Sequence, residues 1–175
     1  MKQYRYSLSP GSRKHKVLIE DESGDEIAQI DRTVLRNCER RNTYSYTSAQ
    51  GRIVKLGLKK RKFRDMNISK YILQTDQGEM VFKERPGSNL LHFRVDGKID
   101  GRFLSIEEDW AGDMEVYYHG RHVATVKEDV AARETLILSD PQFDGESLPF
   151  SIVVLMYFMF KLYKREPWQM ADMLS

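Results

Sequence analysis

The sequence has one cysteine, Cys38, five prolines, and a formal charge of only +2 over 175 residues. A single thiol excludes an internal disulfide framework and every multi-cysteine zinc site. The near balance of 28 Lys and Arg against 26 Asp and Glu leaves no global field that demands a nucleic acid. A long apolar segment is also missing. The longest run, Leu148 to Phe160, has thirteen residues and ends at Lys161, Lys164 and Arg165. A bilayer needs about 20, so this run reads as a buried helix rather than a tail anchor. The N-terminus, Met1-Lys2-Gln3-Tyr4-Arg5-Tyr6, carries charge without the apolar core of a secretory signal. Neither end shows a lipidation motif. The expectation is a cytoplasmic protein, with a position peripheral to the membrane left open. Catalytic signatures are absent too: no nucleophile elbow, Walker loop, His-Glu-x-x-His or Gly-x-Gly-x-x-Gly occurs. The expectation is a non-enzymatic protein without a cofactor.

What is present is a soluble globular balance, 41 % hydrophobic and 31 % charged, long enough for a core that needs no metal or disulfide. Short strands with turn signals fill the first 138 residues. Lys16 to Glu20 and Glu26 to Ile30 flank Gly24, Asn42 to Thr47 and Arg52 to Leu58 flank Gly51, and Lys70 to Gln74 and Met80 to Phe82 flank Gly78. Leu91 to Val95 and Lys98-Ile99 flank Asp96-Gly97, a two-residue hairpin signal. Met114 to Tyr118 and Val123 to Val126 flank His119-Gly120-Arg121. With Tyr4 to Ser7 and Glu134 to Leu138, about twelve strands are expected. Regular short strands argue for an antiparallel sheet, and closure into a barrel removes its edges.

Then the pattern changes. Ser147 is a candidate N-cap, Pro149 is tolerated in a first turn, and Pro167 marks the expected stop. The run has no polar face, so such a helix must be surrounded by protein. One domain is expected over 1–175: strands from about 4 to 138, a central helix over about 147–164 and a tail over 165–175. The tail, with Trp168, Met170, Met173 and Leu174, either caps the barrel mouth or docks on a partner or membrane.

The repeated hairpins (Val17 to Ile30, Tyr71 to Phe82, Met114 to Lys127) and Asp140-Pro141-x-Phe143-Asp144 leading into Phe150 to Phe160 resemble the tubby C-terminal-like superfamily. This group includes tubby, LURP-one-related and phospholipid scramblase proteins, and the chain is similar to its short bacterial single-domain members. The resemblance implies a mostly β fold, a closed antiparallel barrel of about twelve strands around a central hydrophobic C-terminal helix. It carries no activity over to this chain. The proline-rich N-terminal region and acylated cysteine cluster of scramblases are absent, and no phosphoinositide-binding position is transferred.

The sharpest local feature is basic. From Arg52 to Lys70 there are eight Lys or Arg and one acid, Asp65, a local sum of +7. Lys55, Lys59, Lys60, Arg61, Lys62 and Arg64 are the candidate ligand-binding residues, with Phe63 among them. Such a cluster suits anionic lipid headgroups or another anionic ligand, or serves only as a solvated loop. In a strand Lys60 and Lys62 would face away from Lys59 and Arg61, whereas a loop lets all of them reach one patch. The alternatives are a protein-interaction domain with an acidic partner and no small ligand and, third, a nucleic-acid binder.

Other groups carry less. His119 and His122 flank a turn without a third ligand, so no metal site is expected. The acidic groups at Asp21 to Glu26, Glu107 to Asp109 and Asp140 to Glu146 lack EF-hand spacing. Adjacent Glu107 and Glu108 would point to opposite faces of a strand. Cys38 has arginines near it in sequence, and a lone cysteine reads as inert.

Overall fold

The computed structural model describes residues 1–7, 16–59, 68–85, 93–129, 131–132 and 134–173, with side chains as far as Lys161. Twelve strands occur in it: β1 (Lys2–Ser7), β2 (Val17–Asp21), β3 (Glu26–Arg32), β4 (Cys38–Ser48), β5 (Ile53–Lys59), β6 (Lys70–Thr75), β7 (Gly78–Glu84), β8 (Arg94–Ile99), β9 (Arg102–Glu108), β10 (Met114–Tyr118), β11 (Arg121–Asp129) and β12 (Glu134–Ser139). Each pairs antiparallel with its neighbours in the chain, and β1 pairs with β12, so the sheet closes. Helix α1 (Leu148–Met173) follows. This is the fold class that the hairpin pattern and the resemblance implied.

Closure follows from the helix. Ile152 through Tyr157 are all buried, on every face of the helix, and they share one core with the inward residues of the strands. Aromatic contacts tie the helix to the wall: Phe150 meets Tyr4 of β1 at 4.7 Å between centroids and Tyr46 of β4 at 6.3 Å, and Phe160 meets Phe93, next to β8, at 5.6 Å. These partners stand at separated places around the barrel, so the strands surround the helix. Each large apolar side chain so enclosed contributes roughly 1.5–3 kcal/mol. Ser147 caps the helix as expected: its Oγ accepts from Phe150 N at 3.2 Å and donates to Asp144 O at 2.8 Å. The buried Ser151 hydroxyl donates to Leu148 O at 2.7 Å. The helix does not end at Pro167. It continues to Met173, through most of the segment read as a tail, with Pro167 inside it although the proline ring removes one hydrogen bond and crowds the preceding turn.

One hairpin was misplaced. Asp96-Gly97 lies inside β8, and the turn falls at Asp100-Gly101, where both residues have positive φ, 50° and 76°. That is the backbone of a two-residue turn matching strand twist. Gly97 serves the core instead: a Cβ there would come within 2.2 Å of the Phe82 ring. His119-Gly120 makes the other such turn, with φ 55° and 77°.

Because all neighbours are antiparallel, connections alternate between two mouths. The first mouth holds the β2–β3, β4–β5, β6–β7, β8–β9 and β10–β11 turns and the segment entering the helix. At the second lie the facing ends of β1 and β2, β3 and β4, β5 and β6, β7 and β8, β9 and β10, and β11 and β12. Among the described residues no helix is long and apolar enough to cross a membrane.

Two outcomes follow from this packing. Gly97→Ala forces a methyl into the space of the Phe82 ring and should lower stability by about 1–3 kcal/mol in urea unfolding. Adding Phe82→Leu, which shortens the offending side chain, should make the methyl's own cost smaller than it is in the wild-type background, a non-additivity that a double-mutant cycle measures. Burial also raises the hydroxyl pKa of Tyr4, Tyr6, Tyr46 and Tyr157 above the ordinary 10.0. The folded state therefore keeps protons that the unfolded chain releases above pH 10. Stability against urea should not change through these groups below that pH, and should fall above it by up to about 1.4 kcal/mol per pH unit per tyrosine.

Candidate functional site

The helix occupies the barrel interior, so the groups open to a partner lie on the outer wall and the two rims. β5 carries the start of the basic segment. Its burial alternates, with Val54, Leu56 and Leu58 inward and Ile53, Lys55 and Lys59 on the outer face. Lys55 and Lys59 thus share a face, but four residues of strand separate them by roughly 13 Å. Lys55 is half-buried near the first mouth. There it lines a groove of about 620 Å³ with Arg52, Gln74, Asp76 and Glu146. Lys59 is exposed at the second mouth. The structure does not bring these two together. Lys60, Arg61, Lys62 and Arg64 lie outside the described residues.

Two residues not assigned to the site in the sequence stand beside Lys59. Pairing of β4 with β5 jumps from Cys38↔Lys59 to Thr43↔Gly57, so four residues, 39–42, face Leu58 alone. This wide bulge is closed by Thr43 Oγ1 donating to Glu39 O at 2.7 Å and by Asn42 Nδ2 donating to Glu39 Oε2 at 2.8 Å. Arg40 and Arg41, at its crest, are exposed. Gly57 leaves room for it, since a Cβ there would meet Cys38 and Thr43 at 2.8 Å. Cys38 itself is buried with Leu35 and Ile72 in a small second core.

The charge extends around the rim. Lys16, Arg32, Arg36 and Lys83, at the second-mouth ends of β2, β3, β4 and β7, are also exposed. Acids in this sector include Asp31, Glu39 and Glu84, none of them fully exposed. Across the mouth the described acids Glu107, Asp109, Asp113, Glu128 and Asp129 lie along β9, the β9–β10 connection and β11, with Arg94 and Lys127 among them. Lys161, where the helix leaves the apolar run, pairs with Glu128 and lies over the Tyr157 ring at 5.2 Å. Among the described residues the rim is therefore richer in cations over β2 to β7 and richer in acids over β9 to β11.

Most other candidates have structural duties. Asp21 Oδ1 accepts from Ser23 N and Asp25 N, and Asp109 Oδ1 from Ala111 N and Asp113 N, so these acids shape turns. Burial, followed by the nearby Asp109, raises the Asp113 carboxyl pKa. Glu107 pairs with Arg94 at 2.8 Å, while buried Glu108 accepts from Phe93 N at 3.3 Å, so the adjacent carboxylates do face apart. His122 Nε2 bonds Glu115 and contacts Thr125 Oγ1 at 3.2 Å. Among the described residues no three His, Cys, Asp or Glu side chains gather as a metal would require.

No family model matches the sequence, and no curated protein matches it. A solved structure of a protein from Arabidopsis thaliana, AT5G01750, is similar over 94% of this chain and 91% of its own, with a TM-score of 0.49 and 12% identity.

The bulge depends on its closing hydroxyl. Thr43→Val keeps the shape and leaves the Glu39 carbonyl without that donor. It should cost about 1–3 kcal/mol in chemical denaturation.

Proposed function

We propose that this chain is a non-enzymatic tubby C-terminal-like domain that docks on anionic lipid surfaces through the basic half of its second mouth. The observation that carries the reading is the β4 bulge, which sets Arg40 and Arg41 beside Lys59 at the root of the +7 segment. β-bulges re-aim side chains at functional edges, and here the re-aimed residues are cations. The acidic opposite half supports one orientation, with β2 to β7 toward the surface and β9 to β11 away from it. The sector also offers apolar groups beside its cations. The large apolar side chains exposed on the described part of this sector are aliphatic, Val34 at 62% and Leu18 at 43%. Such groups suit an interface between headgroup and acyl chain. Peripheral attachment of this kind needs no spanning segment.

Near an anionic surface each basic residue is worth about 1 kcal/mol, and salt screens the attraction within a Debye length. The full chain should therefore sediment with phosphatidylcholine vesicles that contain phosphatidylserine, not with phosphatidylcholine alone, and should be released by salt. The triple variant Arg40→Gln, Arg41→Gln, Lys59→Gln should bind about 100-fold more weakly. Unchanged binding by the variant would remove these residues from the site. Preferential binding to single-stranded or duplex DNA over vesicles would select the nucleic-acid reading. Binding to neither at low salt would overturn the lipid reading in favour of an acidic protein partner.

A further inference from the structure

The first mouth carries a separate cavity. Between the β8–β9 turn, the β10–β11 turn and the segment entering the helix lies a space of about 450 Å³. That is within the roughly 300–1,000 Å³ of small-molecule sites. Its inner side is carbon. Ile99 and Phe143 are 1% and 4% exposed, and Val123 and Pro149 join them. Its rim is polar and charged: Arg102 comes from the β8–β9 turn and His119 and Arg121 from the β10–β11 turn, with Asp100 and Asp140 beside them.

The state of each charge decides what the rim can hold. Arg121 is engaged, its Nη2 donating to Asp140 Oδ2 at 2.6 Å, and Asp140 Oδ1 accepts from Gln142 N at 3.1 Å. That pair is internally balanced. Arg102 is exposed and has no carboxylate partner among the described residues. His119 is held over the cavity by its turn, with φ at 55° and its N–H donating to Phe103 O at 2.8 Å. Asp100 also lines the space and disfavours a multiply charged guest. Ser147 and Pro149 place the start of the helix, and the positive end of its dipole, on the remaining side.

The geometry points to a binding site for a small amphipathic carboxylate, an acyl or aryl acid. The apolar body lies against Ile99, Phe143, Val123 and Pro149, and the carboxylate lies between Arg102 and His119. Neither half suffices alone. A bare anion would leave the carbon floor wet, and a neutral apolar body would make no use of the exposed Arg102 guanidinium. This site lies at the opposite mouth from the lipid-docking sector and does not depend on it.

Calorimetric titration of the full chain with decanoate, decanol and acetate tests the assignment. Decanoate should bind at least about tenfold more tightly than decanol or acetate. Arg102→Gln should weaken decanoate by about tenfold, the worth of one charge-assisted hydrogen bond at an exposed site, and leave decanol unchanged. Gln142→Trp, at an exposed position on the rim, should fill the space and abolish decanoate binding. Both residues are exposed, and an unchanged melting temperature would show that the variants fold. Absence of decanoate binding, binding equal to decanol, or full retention by Arg102→Gln and Gln142→Trp would overturn the site.

Discussion

A thirteen-residue apolar stretch with no polar face has to be covered on all sides, and the rest of this structure follows from how that is done. A helix pressed on one face of an open sheet would leave half of its side chains in water. Twelve short strands closed on themselves cover every face. The enclosure is anchored at the entry to the helix by two buried tyrosines. Tyr46 Oη donates to Gly145 O at 2.6 Å, and Tyr4 Oη accepts from Gly145 N at 3.3 Å. Both polar groups of one buried peptide position are thereby satisfied, at the point where the chain turns inward. The aromatic contacts with Phe150 then begin at once, so the hydrogen bonds and the packing hold the same joint.

Filling the interior leaves the outer wall and the two mouths for recognition. The mouths differ. At the first, short glycine turns and the capped helix start make a close-built rim with concave spaces between turns. At the second, the helix leaves the wall at the Lys161–Glu128 pair, and the rim divides into opposite charges. A divided rim gives orientation as well as attraction, because turning the molecule over would bring carboxylates to an anionic surface. The two proposed activities are accordingly separable, one reading surface charge at the second mouth and one taking a small acid at the first.

Much of this architecture is legible in the sequence. The helix declared itself by uniform apolarity and by length, and Ser147 and the basic residues after Phe160 marked its bounds at the start and at the end of the apolar run. The strand count was legible because alternation and turn glycines recur. The register of β8 was not. Two Asp-Gly pairs stand four residues apart, and a turn signal cannot be distinguished from a glycine that makes room for a ring until Phe82 is in place. The bulge was hidden for a similar reason. Glu39-Arg40-Arg41 precedes the strand expected from Asn42, and only the pairing with β5 shows that the segment arches out of β4. The first-mouth cavity has no sequence signature, since Arg102, His119 and Phe143 meet through three separate turns.

The central claim is that a surface partner meets this barrel at the second mouth and leaves its enclosed helix undisturbed. Hydrogen exchange of the full chain, free and on vesicles containing phosphatidylserine, tests both parts at once. The account predicts added protection confined to the second-mouth rim, at Thr33 to Asn42 and Leu58-Lys59. Amides from Ile152 to Phe160 should remain among the slowest in the molecule in both states. Added protection centred on the first mouth, or helix amides that exchange faster on the vesicle, would contradict it.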